Sequence, residues 1–125
     1  MGYVLRRTAA GWLLVLLVVI ACVGLTACGG GSAAQQVSVQ GTEFRYDPAN
    51  ATVNAGSSVQ VTLRNTGTQA HDWTVMLDGQ RYQALAQPGQ SANVTFTPSA
   101  PGTYQVFCDQ PGHQAAGMVG QLVVQ

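Results

Sequence analysis

The chain reads as an all-β protein: a two-sheet antiparallel Greek-key sandwich of about seven to eight strands. Three observations predict it. Short runs rich in Val and Thr recur from residue 37 to the C-terminus, turn-forming clusters separate them, and no stretch of this region keeps a helical period over three turns. A single sheet could not cover its own apolar face, and with no helix available a second sheet must do so.

The strands follow in order. VSVQ at 37–40 and ATV at 51–53 come first, then VQVTL at 59–63, where Val61 and Leu63 alternate with Thr62. WTVML at 73–77 continues the pattern and places Met76 in the core. ANVTF at 92–96, TYQVF at 103–107 and GQLVV at 120–124 complete the set. DPAN, NAGSS, NTGTQ, LDGQ, QPGQ and TPSAPG supply the turns between them. RYQALAQ at 81–87 fits either a strand or a loop laid over the sandwich.

The N-terminus has another character. Arg6 and Arg7 precede an uncharged apolar run, and no charged residue occurs from Thr8 to Thr42. That order describes an export signal over residues 1–27. Leu25-Thr26-Ala27-Cys28 resembles the lipobox of bacterial lipoproteins, which makes Cys28 the lipidated N-terminus of the mature chain. An uncleaved membrane-spanning helix is the competing reading, because the apolar run approaches the roughly 18 to 20 residues a span needs. The Arg6-Arg7 pair fits a twin-arginine signal poorly. Each reading places the folded part outside the cytoplasmic membrane, in the periplasm or at the cell surface, tethered to the membrane. Residues 28–36, with GGGS after the Cys, form a flexible linker, and 37–125 form one domain.

Charge excludes one class of partner. The five basic residues are all Arg, and without Arg6 and Arg7 the remaining three face five scattered carboxylates. No basic face for nucleic acid can be built from them. Cysteine usage is more informative. Cys22 lies in the signal and Cys28 at its end, so Cys108 has no disulfide partner in an oxidising compartment. A lone thiol there is either buried and inert or chemically occupied.

Cys108 opens the stretch CDQPGHQAAGM, which also holds His113 and Met118. The other histidine, His71, stands directly before the WTVML strand. In a sandwich, the start of a middle strand and the loop before the last strand can share one end. Two imidazoles, one thiolate and a weak thioether select copper and favour electron transfer. Taken singly, each residue is more often structural; the order and spacing carry the reading. Zinc can occupy such a set but cannot change oxidation state.

HDW at 71–73 with APGTYQVFCDQPGHQAAGMVGQLVV at 100–124 resembles the small blue-copper proteins, the cupredoxins of the plastocyanin, azurin and auracyanin kind. The spacing Cys-x4-His-x4-Met is most similar to auracyanin. The resemblance covers residues 37–125 and implies a cupredoxin-like sandwich holding one mononuclear type 1 copper. It implies His71, Cys108 and His113 as equatorial ligands, Met118 as the axial ligand, and the Ala70 carbonyl on the opposite side. The implied function is single-electron transfer by Cu(II)/Cu(I) between extracytoplasmic redox proteins, by a monomer and without catalysis.

One departure stands out. Cupredoxins commonly carry Asn after the first His, whereas this chain has Asp72 there and Asp109 after Cys108. Side by side, two carboxylates next to a thiolate would make the redox potential depend on pH; the alternative is that Asp109 points to solvent and nothing couples. Redox partners are expected at the copper end, where Pro111, Gly112, Ala115, Ala116 and Gly117 surround His113 with small groups. Lacking an acidic run, that surface predicts weak salt dependence of association. A copper enzyme would need histidines beyond the two present, and a copper-delivery protein would be expected to carry Met- and His-rich tracts. Copper binding and delivery without a carrier role remains the alternative.

Overall fold

The computed structural model describes residues 31–125, of which Ser32–Gln125 form one compact unit. The expected signal, the expected lipidation at Cys28 and the start of the expected linker lie outside the described residues. Nine strands follow one another: β1 (Gln35–Thr42), β2 (Arg45–Asp47), β3 (Asn50–Val53), β4 (Val59–Asn65), β5 (His71–Leu77), β6 (Gln80–Ala86), β7 (Ser91–Phe96), β8 (Gly102–Phe107) and β9 (Val119–Val124). No helix occurs among the described residues. The expected linker is shorter than its sequence suggests, because Gln35 and Gln36 already pair with Val59 and Gln60.

The sheets run β2-β1-β4-β7 and β3-β9-β8-β5-β6. All-antiparallel pairing was expected, and two pairs depart from it. β1 runs parallel to β4, and β3 parallel to β9. The cause is the crossover. β3 leaves the first sheet for the second before β4 returns, and a strand that re-enters its sheet this way can run parallel to its neighbour, as no hairpin can. Segment 81–87 is largely strand β6, joined to β5 by the two-residue turn Asp78-Gly79. Both turn residues have positive φ, 51° and 76°, the geometry that matches strand twist in a tight hairpin.

Alternation sorts the side chains. Val59, Val61 and Leu63 face inward from the first sheet, meeting Trp73, Val75, Leu77, Val106 and Leu122 from the second. Trp73 stacks on Phe96 across the gap, with centroids 6.0 Å apart and planes 9° from parallel. Met76, expected in the core, is 45% exposed. It sits one residue out of phase with Trp73, Val75 and Leu77, so the strand's period of two turns it to the outer face. Thr74 shares that face yet is buried, because Asp72 lies against it.

This topology gathers three segment ends. β5 starts where β8 finishes and where β9 begins, and the three are neighbours in the order β9-β8-β5. His71, Cys108 and Met118 occupy those ends. The fold thereby brings the site residues to one edge of the sandwich.

Candidate metal centre

The loop from Cys108 to Met118 is shaped by its own backbone. Cys108 N donates to Met118 O at 3.1 Å, and Met118 N donates to His113 O at 3.0 Å. His113 N donates to Gln110 O, and Ala116 N to Gly112 O. Gly112 and Gly117 take positive φ of 81° and 102°, a region where a side chain is strained. Those two glycines let the loop reverse twice and turn His113 inward, leaving it 5% exposed.

His71 comes from the 66–70 loop, which is held by distant residues. Asn65 is buried and donates through Nδ2 to Gln69 O at 2.7 Å and Ala86 O at 2.9 Å, while its Oδ1 accepts from Gly67 N. Thr66 N donates to Gly41 O at the end of β1. Gly41 forms the floor of the site. A Cβ added to it would lie 3.2 Å from Leu63 Cδ1, 3.5 Å from Met118 Cε and 3.6 Å from His71 Cβ. Methionine tip and histidine base therefore meet over a residue with no side chain.

His71, Cys108 and His113 are all buried, and one donor atom from each lies within 4.8 Å of the others. His71 Nδ1 is 3.1 Å from His113 Nδ1, and Cys108 Sγ is 3.4 Å from His113 Nδ1. Met118 is fully buried beside them. All four residues expected from the sequence come together, and Ala70 immediately precedes His71 at the end of its loop.

Electrostatics favour a neutral His71 imidazole and make the Cys108 anion costly. Burial pulls the His71 pKa down, and the neighbouring His113 adds to the effect, so its lone pair is free to bind a cation. Burial pushes the Cys108 thiol up, against the backbone N–H groups of Asp72 and Gln110, which favour the thiolate. A thiolate enclosed this way needs a positive partner. Two imidazole nitrogens and one sulfur converging in a buried space are the donor set of a soft or borderline metal ion.

The two aspartates do not pair as expected. Asp72 is buried, and its carboxylate accepts from Thr74 Oγ1 at 2.7 Å, Asp109 N at 2.9 Å and Gln110 Nε2 at 2.8 Å. Asp109 turns its own carboxylate outward to the Arg81 guanidinium. The Asp109 backbone, not its side chain, meets Asp72, so the two carboxylates do not face each other. Asp72 thus ties the ligand loop to β5, and its N–H donates to Cys108 Sγ at 3.4 Å. Tyr46 on β2 closes the arrangement by donating to Asp72 O.

Several contributors carry no sequence signal. Glu43, Phe44 and Gln69 sit in ordinary turn and loop contexts, yet they touch both histidines. Phe44 lies edge-on to His113 with centroids 5.0 Å apart. Gln69 Oε1 is 3.1 Å from His113 Nε2, and Glu43 Oε1 is 3.5 Å from His71 Nε2.

Known proteins resemble this chain in sequence and in fold. Auracyanin-A of Chloroflexus aurantiacus is 28% identical over 143 aligned residues, spanning 80% of this chain and 88% of that protein. The copper-resistant cuproprotein CopI of Rubrivivax gelatinosus is 29% identical over 105 residues, spanning 70% of this chain and 64% of that protein. Among solved structures, dithionite-reduced auracyanin from Roseiflexus castenholzii superimposes with a TM-score of 0.66 at 27% identity, covering 74% of this chain and 98% of that one. Auracyanin A, described as a "blue" copper protein, gives a TM-score of 0.67 at 26% identity, covering 74% of this chain and all of that one. Residues 13–124 match the Cupredoxin-like domain family, and the chain belongs to it.

Proposed function

We propose that this chain is a mononuclear type 1 copper protein that carries single electrons between extracytoplasmic redox partners. The observation that carries the proposal is the convergence of His71 Nδ1, Cys108 Sγ and His113 Nδ1 within one buried cluster, with Met118 packed beside it. His71, Cys108 and His113 would hold the ion, with Met118 as the weak fourth ligand. Bound there, copper supplies a one-electron Cu(II)/Cu(I) couple. The chain's own contribution is rigidity. β5, β8 and β9 fix the three segment ends, and the loop's internal hydrogen bonds hold the remaining donor.

Partners are proposed to dock over the loop that covers His113. Pro111, Gly112, Ala115, Ala116 and Gly117 are exposed there and carry no charge, so close approach costs little desolvation. The tether is proposed to be a lipid on Cys28, with residues 1–27 removed as the signal. No catalytic role is assigned to any residue.

Similarity to the cuproprotein CopI favours a second reading, copper binding or delivery without electron carriage. Spectroscopy and voltammetry on copper-loaded residues 32–125 separate the two. A carrier gives an intense thiolate-to-copper band in the visible and a reversible one-electron wave. A delivery protein gives up its copper to a chelator competitor readily and shows no reversible wave. Failure to bind copper at all would reject both.

A further inference from the structure

The two histidines turn their Nδ1 atoms toward each other and toward the sulfur, so both Nε2 atoms face the surrounding protein. A ring that offers its Nδ1 lone pair carries its hydrogen on Nε2, and a buried N–H there needs an acceptor. His113 Nε2 has Gln69 Oε1 at 3.1 Å. His71 Nε2 is, among the described residues, the buried side-chain nitrogen with no hydrogen-bond partner. Glu43 Oε1 stands 3.5 Å from it.

Glu43 and Gln69 are physically joined. Glu43 Oε1 also accepts from the backbone N–H of Thr68, from the backbone N–H of Gln69 at 3.0 Å and from Thr68 Oγ1 at 3.2 Å. The oxygen that faces His71 therefore holds the backbone of the residue whose amide faces His113. Gly67 makes room for it: a Cβ there would lie 2.5 Å from Glu43 Oε1.

We propose that Glu43 and Gln69 act as one clasp that fixes both histidines in the Nε2–H tautomer and aims both Nδ1 lone pairs at the centre. The hydrogen on His71 Nε2 is donated to Glu43 Oε1, and the hydrogen on His113 Nε2 to Gln69 Oε1. Both are positioning residues that act through the imidazoles. The inference rests on the copper reading above for its functional meaning, but the tautomers can be read with any ion that fills the cluster. Outer partners of this kind are worth about ten- to a hundredfold in metal affinity.

The test uses nitrogen-15 NMR of the zinc-loaded protein to assign ring tautomers and the exchange rates of the Nε2 hydrogens. Copper affinity is measured by competition on the same variants. Wild type is expected to show both rings as Nε2–H with slow exchange. Glu43→Ala should speed exchange at both rings at least tenfold and weaken copper binding ten- to a hundredfold. Gln69→Leu should affect His113 and leave His71 protected. That asymmetry separates a clasp from general loosening. Should the Ala variant fail to fold, Glu43→Gln keeps an acceptor oxygen for Thr68 and Gln69, and its weaker, uncharged acceptor should still speed exchange at His71. A wild-type His71 hydrogen found on Nδ1, or Glu43 variants within twofold of wild type in exchange and affinity, would overturn the proposal. A wild type that binds copper without a thiolate-to-copper band would sink the carrier reading instead, leaving the tautomer result on zinc intact.

Discussion

The loop from Cys108 to Met118 and the segment from Asn65 to His71 deliver donors to one centre by opposite means. The first is shaped mainly by its own backbone, whose hydrogen bonds join residues no more than ten apart in sequence, from Cys108 N to Met118 O, with Asp72 fastening it to β5. The second is held from a distance, by Gly41, by Glu43 and by the reach of Asn65 to Ala86, with separations of 21 to 26 residues. A local loop can form as soon as its strand ends are in place. A segment held from afar is correct only when the sandwich around it is complete. Placing three candidate donors on the first kind of support and His71 on the second makes the full centre a property of the folded domain.

The largest effect should come from the Cys108–Met118 loop. Cys108→Ser removes the soft donor and replaces it with a hydroxyl that does not ionise at neutral pH. The visible band and the reversible wave should vanish, while the far-ultraviolet circular dichroism keeps its β signature, because serine is smaller than cysteine and the core tolerates it. Colour that survives this change would end the copper reading.

Asn65→Ala attacks the other support. It leaves the Gln69 and Ala86 carbonyls and the Gly67 N–H without their side-chain partner in a buried or half-buried setting. Each such loss costs roughly 1 to 3 kcal/mol, and a total of about 3 kcal/mol is expected in urea unfolding. Copper affinity should fall with it, since His71 loses its footing while the Cys108 loop keeps its own bonds. Equal stability and affinity would show that the 66–70 loop holds itself.

Asp72→Asn probes the joint between the two supports. Three donors converge on the Asp72 carboxylate, two of them from the ligand loop. Asparagine keeps one acceptor oxygen for Thr74 Oγ1 and Asp109 N, and the Gln110 amide can rotate to meet the new NH2. The fold should survive, but a negative charge beside the thiolate is gone. Cu(II) is favoured by that charge more than Cu(I), so the potential should rise by tens of millivolts, about 59 mV for each tenfold change in the affinity ratio. An unchanged potential would mean that Asp72 only fastens the loop.

The same contrast explains what could be read from the sequence. Cys108, His113 and Met118 were legible because their supports are local: spacing, glycines and proline all lie in one short stretch. The alternating strands were legible for the same reason, with the phase of Met76 as the exception, since alternation does not say which register faces inward at a strand's end. His71 was reached through the resemblance carried by HDW at 71–73, supported by its being the other histidine of the sequence. Glu43, Phe44, Gln69 and Gly41 were not legible, because their roles depend on β1 and β4 running side by side. That parallel pairing arises from a crossover through the other sheet, and no local pattern encodes it. The Asp72–Asp109 expectation failed for a related reason. Adjacency was foreseen, but Arg81 on β6 draws the Asp109 carboxylate outward.

The smallest effect should come from acid acting on the distant support alone. The backbone N–H groups of Thr68 and Gln69 hold the Glu43 pKa down from 4.5 to about 2. A carboxylate lowered in the folded state stabilises it fully above the unfolded value and loses that contribution as pH falls through the folded value. The window is therefore pH 4.5 down to 2. Residues 32–125 without metal should show a melting temperature that falls across this window more steeply than in Glu43→Gln, with the two curves parallel above pH 5. Because Glu43 reaches only the 66–70 loop and the His71 ring that follows it, the extra loss should be a shallow one. Its local mark should be faster exchange of the Thr68 and Gln69 amides, which lie on the clasp, while the Met118 N–H inside the Cys108–Met118 loop stays protected. Equal acid slopes in the two proteins would mean that the Glu43 carboxylate does not tie this loop to the fold.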